Sequence, residues 1–305
     1  MSLDSKSISV LIVNYNSGVY ALECIHSLLK QRGETIEIIV VDNASQDDSV
    51  KLLRETFDGK IILVESKENL GFGRANNLAA SKASGEFLLL LNPDTVITEP
   101  NVLKAMVDTL KNNPHIGLLG PAIDEPRKAK QVLPRYRYPS SRHLKYTNKF
   151  KRLPGEIAWL LGACMLIKRS VFAEVKGFDP DFFLYGEDAD ICLRLRLAGY
   201  EIGYCDKVQI SHVGGASEFG ANSLDKWLRK KRGVFLFCTK HFDPRDALEI
   251  AKTAIFKSRL YLGALFVTNL FRNKNSVVFV DKKHRLQATI ITAKEVLNQL
   301  KSKAK

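Results

Sequence analysis

The feature that most constrains the fold is a series of apolar runs in residues 7–123, each followed by an amphipathic segment. The runs are SISVLIVN, IEIIVVD, KIILVE, FLLLLN and HIGLLGPAI, and helical spacing of Leu and Ile lies between them, as in YALECIHSLLKQ. Continuous apolar strands that alternate with helices are typical of a parallel sheet covered on both faces. We therefore predict an α/β fold with a mostly parallel, Rossmann-like sheet.

Polar residues stand where these predicted strands end. Asn14, Asp42, Glu65 and Asp94 follow the first four runs. Ligands of parallel sheets bind beyond the carboxyl ends of the strands, so we expect these side chains to line a crevice. Asp42 suits hydrogen bonding to a base imide or a ribose hydroxyl. Asp94, which follows the strand-ending Pro93, suits a hard divalent cation shared with phosphate oxygens, or alternatively an Asx turn.

Three further motifs contain residues that suit chemistry. ENLGFGRANN opens a helix, and its glycines indicate either a phosphate cradle or a tight turn. QISHVGG places His212 at a strand end, where it is either a metal or diphosphate ligand or a structural residue. FDPDFFLYGEDAD places Glu187 and Asp188 beside aromatic residues, a setting that raises a carboxyl pKa toward that of a general base. Acids are also favoured at helix starts, but that alternative does not account for the aromatic residues.

The charge is distributed unevenly along the chain, which carries +13 overall. Residues 126–152 contain ten Lys and Arg and no acid, and residues 226–305 contain 19 Lys and Arg against five Asp and Glu. Basic surface favours nucleic acid, phosphorylated substrates or an anionic membrane, and the alternative is a solvated surface. We predict one domain over 1–221, with a basic excursion at 124–155, and a basic amphipathic helical extension over 222–305.

The remaining composition indicates a cytoplasmic protein. The start of the chain shows no signal-peptide pattern, and the longest apolar stretch, residues 260–271, is too short to span a bilayer. The five Cys have no metal or redox spacing, as expected in a reducing compartment.

Taken together and in order, NYN, VDNAS, NLGFGRANN, LLNPD, GACMLIKR and FFLYGEDADICLR resemble family 2 glycosyltransferases of the GT-A fold, and most closely their rhamnosyltransferase-like branch, over about residues 7–217. The resemblance implies an inverting transfer from a nucleotide-diphosphate sugar, with dTDP-rhamnose as the favoured donor. The acceptor would be a hydroxyl of a cell-surface polysaccharide or a lipid-linked oligosaccharide. We expect the basic tail to associate with the inner face of the cell membrane, and no nucleic acid as a partner.

The resemblance also implies roles for single residues. Asp188 would be the general base, with Glu187 beside it, and Asp94 and His212 would hold a divalent cation, Mg²⁺ or Mn²⁺. The implied donor pocket consists of Asn14, Asp42, Asn43, Asn69, Gly71, Arg74, Asn77, Asn92 and Asp94. Asn92 stands where the family's Asp-x-Asp motif has its first acid, so we expect the protein to bind the cation weakly.

Other functions explain the sequence less well. A sugar nucleotidyltransferase needs a cationic, Gly-rich loop after the first strand, and NYNSGVYA has no cation. A nucleic-acid-binding protein would use the basic aromatic segment RYRYPSSRHLKY, but would leave the acidic crevice without a role. An inactive subunit with the fold of an enzyme is disfavoured by the presence of Asp94, Asp188 and His212.

Overall fold

The structure, a computed structural model of the 305-residue chain, describes residues 7–215, 222–268 and 276–303. They divide into two compact units. The sheet unit comprises residues 7–138, 153–183 and 187–215, and the helical unit comprises 139–152, 184–186, 222–268 and 276–303. The predicted domain boundary after residue 221 lies outside the described residues and stays a prediction.

All strands of the described residues belong to the sheet unit and form one nine-stranded sheet. They are β1 Ile8–Asn14, β2 Ile36–Asp42, β3 Ile62–Glu65, β4 Phe87–Leu91, β5 Thr95–Val96, β6 Ile116–Glu125, β7 Lys130–Val132, β8 Cys164–Lys168 and β9 Glu201–His212. The order is β3-β2-β1-β4-β8-β6-β9-β5, with β7 paired to β6. The first four strands in this order are parallel, as is the β6–β9 pair, which confirms the prediction. Antiparallel pairs involving β5, β7 and β8 are an addition that the apolar pattern does not indicate.

Helices cover this sheet and also make up most of the helical unit. The sheet unit contains α1 Gly18–Leu28, α2 Ser49–Phe57, α3 Gly71–Ala80, α4 Val102–Asn112, α5 Arg169–Glu174 and α6 Glu187–Leu197. The helical unit contains α7 Ser223–His241, α8 Pro244–Thr268 and α9 Val277–Lys303. The predicted basic helical extension is therefore confirmed.

The apolar runs form strands because both faces of the sheet are covered. All seven residues of β1 are buried. Ile8, Val10 and Ile12 pack into one cluster with residues of α1 and α4, whereas Leu11 and Val13 pack into a second cluster with residues of α3 and α6. A strand buried on both sides has no solvent face that would call for polar alternation, which explains the continuous apolar sequence.

Strand register brings the predicted polar residues to one edge. Asn14 pairs with Asp42, and Asp42 pairs with Glu65. β4 ends at Leu91, opposite Ile12, and the chain turns immediately afterwards to pair as β5 with β9. The carboxyl ends of β1, β2 and β3 are therefore level, as expected for a ligand crevice.

The segment at 124–155 has defined contacts at its ends. β6 continues to Glu125, a 3₁₀ turn follows at Pro126–Lys128, and β7 runs back along β6. At the far end, the buried Arg196 of α6 donates hydrogen bonds to the carbonyl oxygens of Pro154 (2.8 Å) and Gly155 (2.7 Å). These backbone acceptors offset the free-energy cost of burying the Arg196 guanidinium away from water.

The middle of this segment, residues 139–152, belongs to the helical unit together with α7, α8 and α9. The buried Asp246 at the start of α8 accepts hydrogen bonds from the backbone N–H groups of Lys145, Tyr146 and Thr147. These bonds hold the pKa of Asp246 below its usual range, against the effect of its burial. No helix of the described residues is both long and apolar enough to cross a membrane.

Candidate active site

The first part of the site lies at the ends of β1 and β2. The Asn14 amide donates to Asp42 Oδ1 (2.9 Å), and the N–H and hydroxyl of Ser45 donate to the same carboxylate at 3.0 and 2.6 Å. Asn14 and Asp42 are buried, so this network fixes a carboxylate at the floor of the crevice. The base and ribose contacts predicted for Asn14 and Asp42 stay predictions.

A second network connects β2 to the start of α3. The Asn43 amide donates to Asn69 Oδ1 (3.0 Å), and Asn43 Oδ1 accepts from the N–H of Leu70 (2.8 Å). Asn69 Oδ1 also accepts from the N–H of Gly71 (2.9 Å). Three of the predicted donor residues, Asn43, Asn69 and Gly71, therefore lie together.

Gly71 also allows α3 to approach the aromatic loop before α6, by which we mean residues 178–183. It has a φ of +76°, and a Cβ at this position would lie 2.1 Å from the carbonyl oxygen of Phe183. The next residue, Phe72, donates its N–H to that oxygen (2.8 Å). Since the N–H groups of Leu70, Gly71 and Phe72 all have protein acceptors, the structure favours the tight-turn interpretation of this motif over the phosphate cradle.

Two other predicted donor residues have different contacts. The Asn77 side chain bonds both the N–H (2.9 Å) and the carbonyl (2.8 Å) of Phe178, so it fastens α3 to the aromatic loop. Arg74 is exposed and donates to the carbonyl of Leu70 (2.9 Å). The nucleotide contacts predicted for Asn77 and Arg74 stay predictions, and these bonds give both residues a structural role.

The third part of the site joins the turn after β4 to the end of β9. Pairing of Thr95 with His212 brings the imidazole to this turn. His212 Nε2 lies 3.2 Å from Asp94 Oδ1 and 3.3 Å from Asn92 Nδ2, and both Asp94 and His212 are 6% exposed. The structure thus assembles all three residues that the sequence assigns to a metal or diphosphate site.

Glu125 is a residue of this site that the sequence does not reveal. The buried carboxylate lies 3.7 Å from His212 Nδ1, and it forms ion pairs with Lys128 (2.9 Å) and Lys130 (3.1 Å). A Cβ at Gly214 would lie 2.9 Å from Glu125 Oε1, which explains a glycine after the histidine. One feature of the sequence could have pointed to Glu125: it is an acid that lies two residues after the predicted apolar run HIGLLGPAI.

The donor set fits a divalent cation whose coordination a ligand completes. Asp94 offers a carboxylate oxygen and His212 an imidazole nitrogen. The other ring nitrogen, Nδ1, faces Glu125 at 3.7 Å, beyond hydrogen-bond distance, and has no hydrogen-bond partner among the described residues. Among the described residues, no group of three or more His, Cys, Asp or Glu side chains is placed to hold a metal. The diphosphate of a bound nucleotide would supply the remaining oxygen ligands.

The predicted acid pair begins α6. Glu187 is buried, and its Oε2 has no hydrogen-bond partner among the described residues. Burial raises the pKa of Glu187, and the neighbouring Asp188 raises it further. Burial also raises the pKa of Asp188, opposed by hydrogen bonds from the N–H groups of Ala189 (2.8 Å) and Gly162. Both carboxyls of the pair therefore have raised pKa values, the setting in which a carboxylate can act as a general base.

Arg135 is a second residue that the sequence does not identify as part of the site. Its positive charge acts on Asp188 and lowers the pKa of that carboxyl. The N–H of Arg135 donates to the carbonyl of Trp159 (2.9 Å), and its carbonyl accepts from the N–H of Ala158 (2.7 Å). An isolated bridge to the chain before β8 therefore holds this Arg of the basic excursion beside the acid pair.

The sequence matches models of known protein families and is similar to named proteins. The sequence model described as "Glycosyl transferase family 2" matches residues 9–176, and one described as "N-terminal domain of galactosyltransferase" matches residues 142–215. N-acetylglucosaminyl-diphospho-decaprenol L-rhamnosyltransferase of Mycobacterium tuberculosis is 27% identical over 238 residues, 67% of this chain and 75% of that protein. The O-antigen chain rhamnosyltransferase WbaN of Salmonella anatum is 25% identical over 210 residues, 68% of this chain and 66% of that protein.

Solved structures share the fold. The mannosyltransferase PcManGT of Pyrobaculum calidifontis, in complex with GDP-Man and Mn²⁺, superposes with a TM-score of 0.60 at 17% identity, over 95% of this chain and 88% of that one. Residues 1–349 of TarS from S. aureus superpose with a TM-score of 0.55 at 19% identity, over 96% of this chain and 83% of that one. These likenesses confirm the GT-A fold that the sequence predicts.

Proposed function

The chain belongs to glycosyl transferase family 2 and is a glycosyltransferase, and from this premise we propose that it transfers rhamnose from dTDP-rhamnose to a lipid-linked or polysaccharide acceptor with inversion. Two relatives named as rhamnosyltransferases, one of them acting on a diphospho-decaprenol substrate by its name, support this choice of donor and acceptor. The observation that carries the catalytic part of the proposal is the acid pair at the start of α6.

In the proposed reaction, Asp188 removes the proton from an acceptor hydroxyl. The acceptor oxygen forms a bond to the anomeric carbon of the donor sugar, and the bond from that carbon to the diphosphate oxygen breaks. The nucleotide diphosphate leaves with the bonding electrons, and the proton remains on Asp188. The raised pKa values of Glu187 and Asp188 favour proton uptake by this buried pair.

The remaining residues bind and orient the donor. Asp42, held by Asn14 and Ser45, is positioned to accept from a ribose hydroxyl or a base imide. When bound, a divalent cation supplies charge neutralisation to the diphosphate leaving group. Asp94 and His212 would hold that cation, and Glu125, 3.7 Å from His212 Nδ1, would accept a hydrogen bond from this nitrogen if the ring moved closer when the cation binds.

We also propose that the enzyme works at an anionic membrane surface, and α8 provides the main support. Phe256, Leu260 and Val267 are 64%, 58% and 65% exposed and lie on one side of the helix. Ala251 and Ile255, on another side of α8, are buried in a cluster with residues of α9. An apolar face that points to solvent commonly marks an interaction site.

We call Phe256, Leu260 and Val267 the α8 stripe. The charges around the stripe favour lipid as its partner. Lys252, Lys257 and Arg259 are exposed on the same helix, and α8 contains no acid after Glu249. Cations beside an apolar face are the usual composition of helices that lie in the interface of anionic bilayers.

A thermal-shift screen of nucleotide sugars, with and without Mg²⁺ or Mn²⁺, tests the donor. We expect dTDP-rhamnose to raise the melting temperature more than UDP- or GDP-linked sugars, because a ligand selective for the folded state stabilises it by mass action. Selective stabilisation by another nucleotide sugar would exclude rhamnose as the donor. Absence of stabilisation by every nucleotide sugar would contradict the donor pocket itself.

A further inference from the structure

The helical unit contains a group of cations gathered around one tryptophan. Lys230, Lys231 and Arg285 lie 5.5, 5.9 and 5.8 Å from the centroid of the Trp227 ring. We call these four residues the indole cluster. Lys230 also lies 4.9 Å from the centroid of the Tyr185 ring. The cluster therefore joins α7 and α9 around an aromatic centre.

Backbone geometry fixes the aromatic part of this arrangement. Tyr185 has a φ of +71°, a left-handed conformation that is unusual for a tyrosine. A Cβ at Gly233 would lie 2.0 Å from the Tyr185 carbonyl oxygen, so α7 can approach this segment only because residue 233 is glycine. Tyr185 is two residues before Glu187 in the chain.

Two cations of the indole cluster, Lys231 and Arg285, form no ion pair with a carboxylate of the described residues. Lys231 is half-buried, and both its burial and the nearby Arg285 lower its pKa. The neighbouring carboxylate, Asp281, accepts on Oδ1 from Trp227 Nε1 (2.8 Å) and from the hydroxyl of Ser223 (3.3 Å).

Elsewhere on the same helices a cation has a partner of opposite charge. Arg232 of α7 lies next to Lys231 in the chain and pairs with Glu295 of α9 through two nitrogens, at 2.9 and 3.2 Å. Lys231 is half-buried and Arg285 is exposed, and two like charges that lie close together repel each other unless an anion compensates them. Lys231 and Arg285, unlike Arg232, are therefore available to an anion from outside the chain.

We propose that the indole cluster binds the diphosphate group of a lipid-linked acceptor. A diphosphate provides several charged acceptor oxygens for the Lys and Arg donors, and the faces of Trp227 and Tyr185 offer an apolar surface to the adjoining prenyl chain or sugar. The inference rests on the proposed function, because it names the acceptor of that reaction. It adds an anion site that is separate in its residues from the donor pocket.

Calorimetric titration of the full chain with inorganic pyrophosphate tests the site. The protein is first saturated with the nucleoside diphosphate that matches the donor selected in the thermal-shift screen, so that the donor pocket is filled. The cluster variant combines Lys231→Met with Arg285→Gln. The matched control combines Lys294→Met with Lys301→Met, which removes two exposed charges from α9.

We expect wild type and control to bind pyrophosphate equally and the cluster variant to bind it at least about tenfold more weakly, since two charge-assisted contacts are lost. Affinity for the nucleoside diphosphate should be the same in all three proteins. Equal pyrophosphate affinity in all three would overturn the site. If nucleoside diphosphate does not bind to any of them, the proposed function fails instead, which is a separate outcome.

Two further measurements identify the anion and verify folding. Sedimentation with phosphatidylglycerol vesicles should be unchanged in the cluster variant. Loss of vesicle binding with normal pyrophosphate affinity would assign the cluster to phospholipid headgroups and overturn the acceptor assignment. Without ligand, the variant should melt no lower than wild type, because it loses a like-charge contact. If the double variant fails to fold, Arg285→Gln alone, at an exposed position, provides the same comparison.

Discussion

His212 Nε2 lies 3.2 Å from Asp94 Oδ1, although the two residues are far apart in the sequence. The short β5 strand explains the contact, because Thr95 pairs with His212 and the turn after β4 is thereby fixed against β9. A carboxylate and an imidazole in this arrangement suit a cation shared with a diphosphate.

Substitution of Asp94, or of Glu125 on the other side of the His212 ring, should therefore change how activity depends on the metal concentration. We expect Asp94→Ala to raise the Mn²⁺ concentration needed for half-maximal activity, and Glu125→Gln to raise it about 10–100-fold by releasing the His212 ring. Activity measured against Mn²⁺ concentration provides the comparison, with Asp58→Asn, an exposed position at the end of α2, as the control. Full activity of the wild type in chelator would exclude Asp94 as a metal ligand.

Asp188→Asn should remove the base. We expect turnover to fall by about 10²–10⁴-fold, the usual contribution of a general base, while nucleotide affinity stays the same. Single-turnover kinetics and nucleotide titration measure the two quantities, and Asp58→Asn again serves as the control. Near-normal turnover of Asp188→Asn would make the base assignment untenable.

The pH dependence of kcat/KM should reflect the environment of Asp188. Burial raises its pKa, so activity should be lost, as the pH falls, at a higher pH than for an exposed aspartate. Arg135 lowers that pKa, and Arg135→Gln should therefore move the acid limb to higher pH. The exposed Arg32→Gln is the control, and an acid limb that does not move in Arg135→Gln would contradict the charge interaction.

Gly71→Ala should destabilise the sheet unit through a specific collision. A Cβ at Gly71 would lie 2.1 Å from the Phe183 carbonyl oxygen, and the φ of +76° adds strain. Gly59→Ala is a matched control, because its φ is +66° and nothing lies within 4 Å. We expect Gly59→Ala to cost about 1 kcal/mol of unfolding free energy and Gly71→Ala clearly more. Equal costs in chemical denaturation would contradict the close approach of α3 to the aromatic loop.

The α8 stripe should determine binding to membranes. We expect Phe256→Ser with Leu260→Ser to weaken binding to phosphatidylglycerol vesicles by about tenfold or more, because each side chain contributes about 1–2 kcal/mol of apolar transfer. Val19→Ser, at a 64% exposed position on α1, is the control in vesicle sedimentation. Unchanged vesicle binding together with a loss of dimers in ultracentrifugation would assign the stripe to a second copy of the chain.

The sequence determined the class of fold and the order of its parts. Continuous apolar runs required a sheet covered on both faces, and a polar residue at the end of each run predicted the crevice where Asn14 and Asp42 lie in register. The ordered motifs were enough to indicate the family, and they selected Glu187 and Asp188 as the acid pair. These features are local, since each depends on residue types at short spacing.

Tertiary structure decided the contacts between segments that are distant in the chain. Only strand pairing brings His212 to Asp94, and only the extension of β6 brings Glu125 to the other side of the His212 ring. The packing contacts of Asn77 and Gly71 also appear only in the structure, where both residues hold α3 against the loop before α6. Register, close approach and charge neighbours arise from packing across the sheet, and no short stretch of sequence contains them.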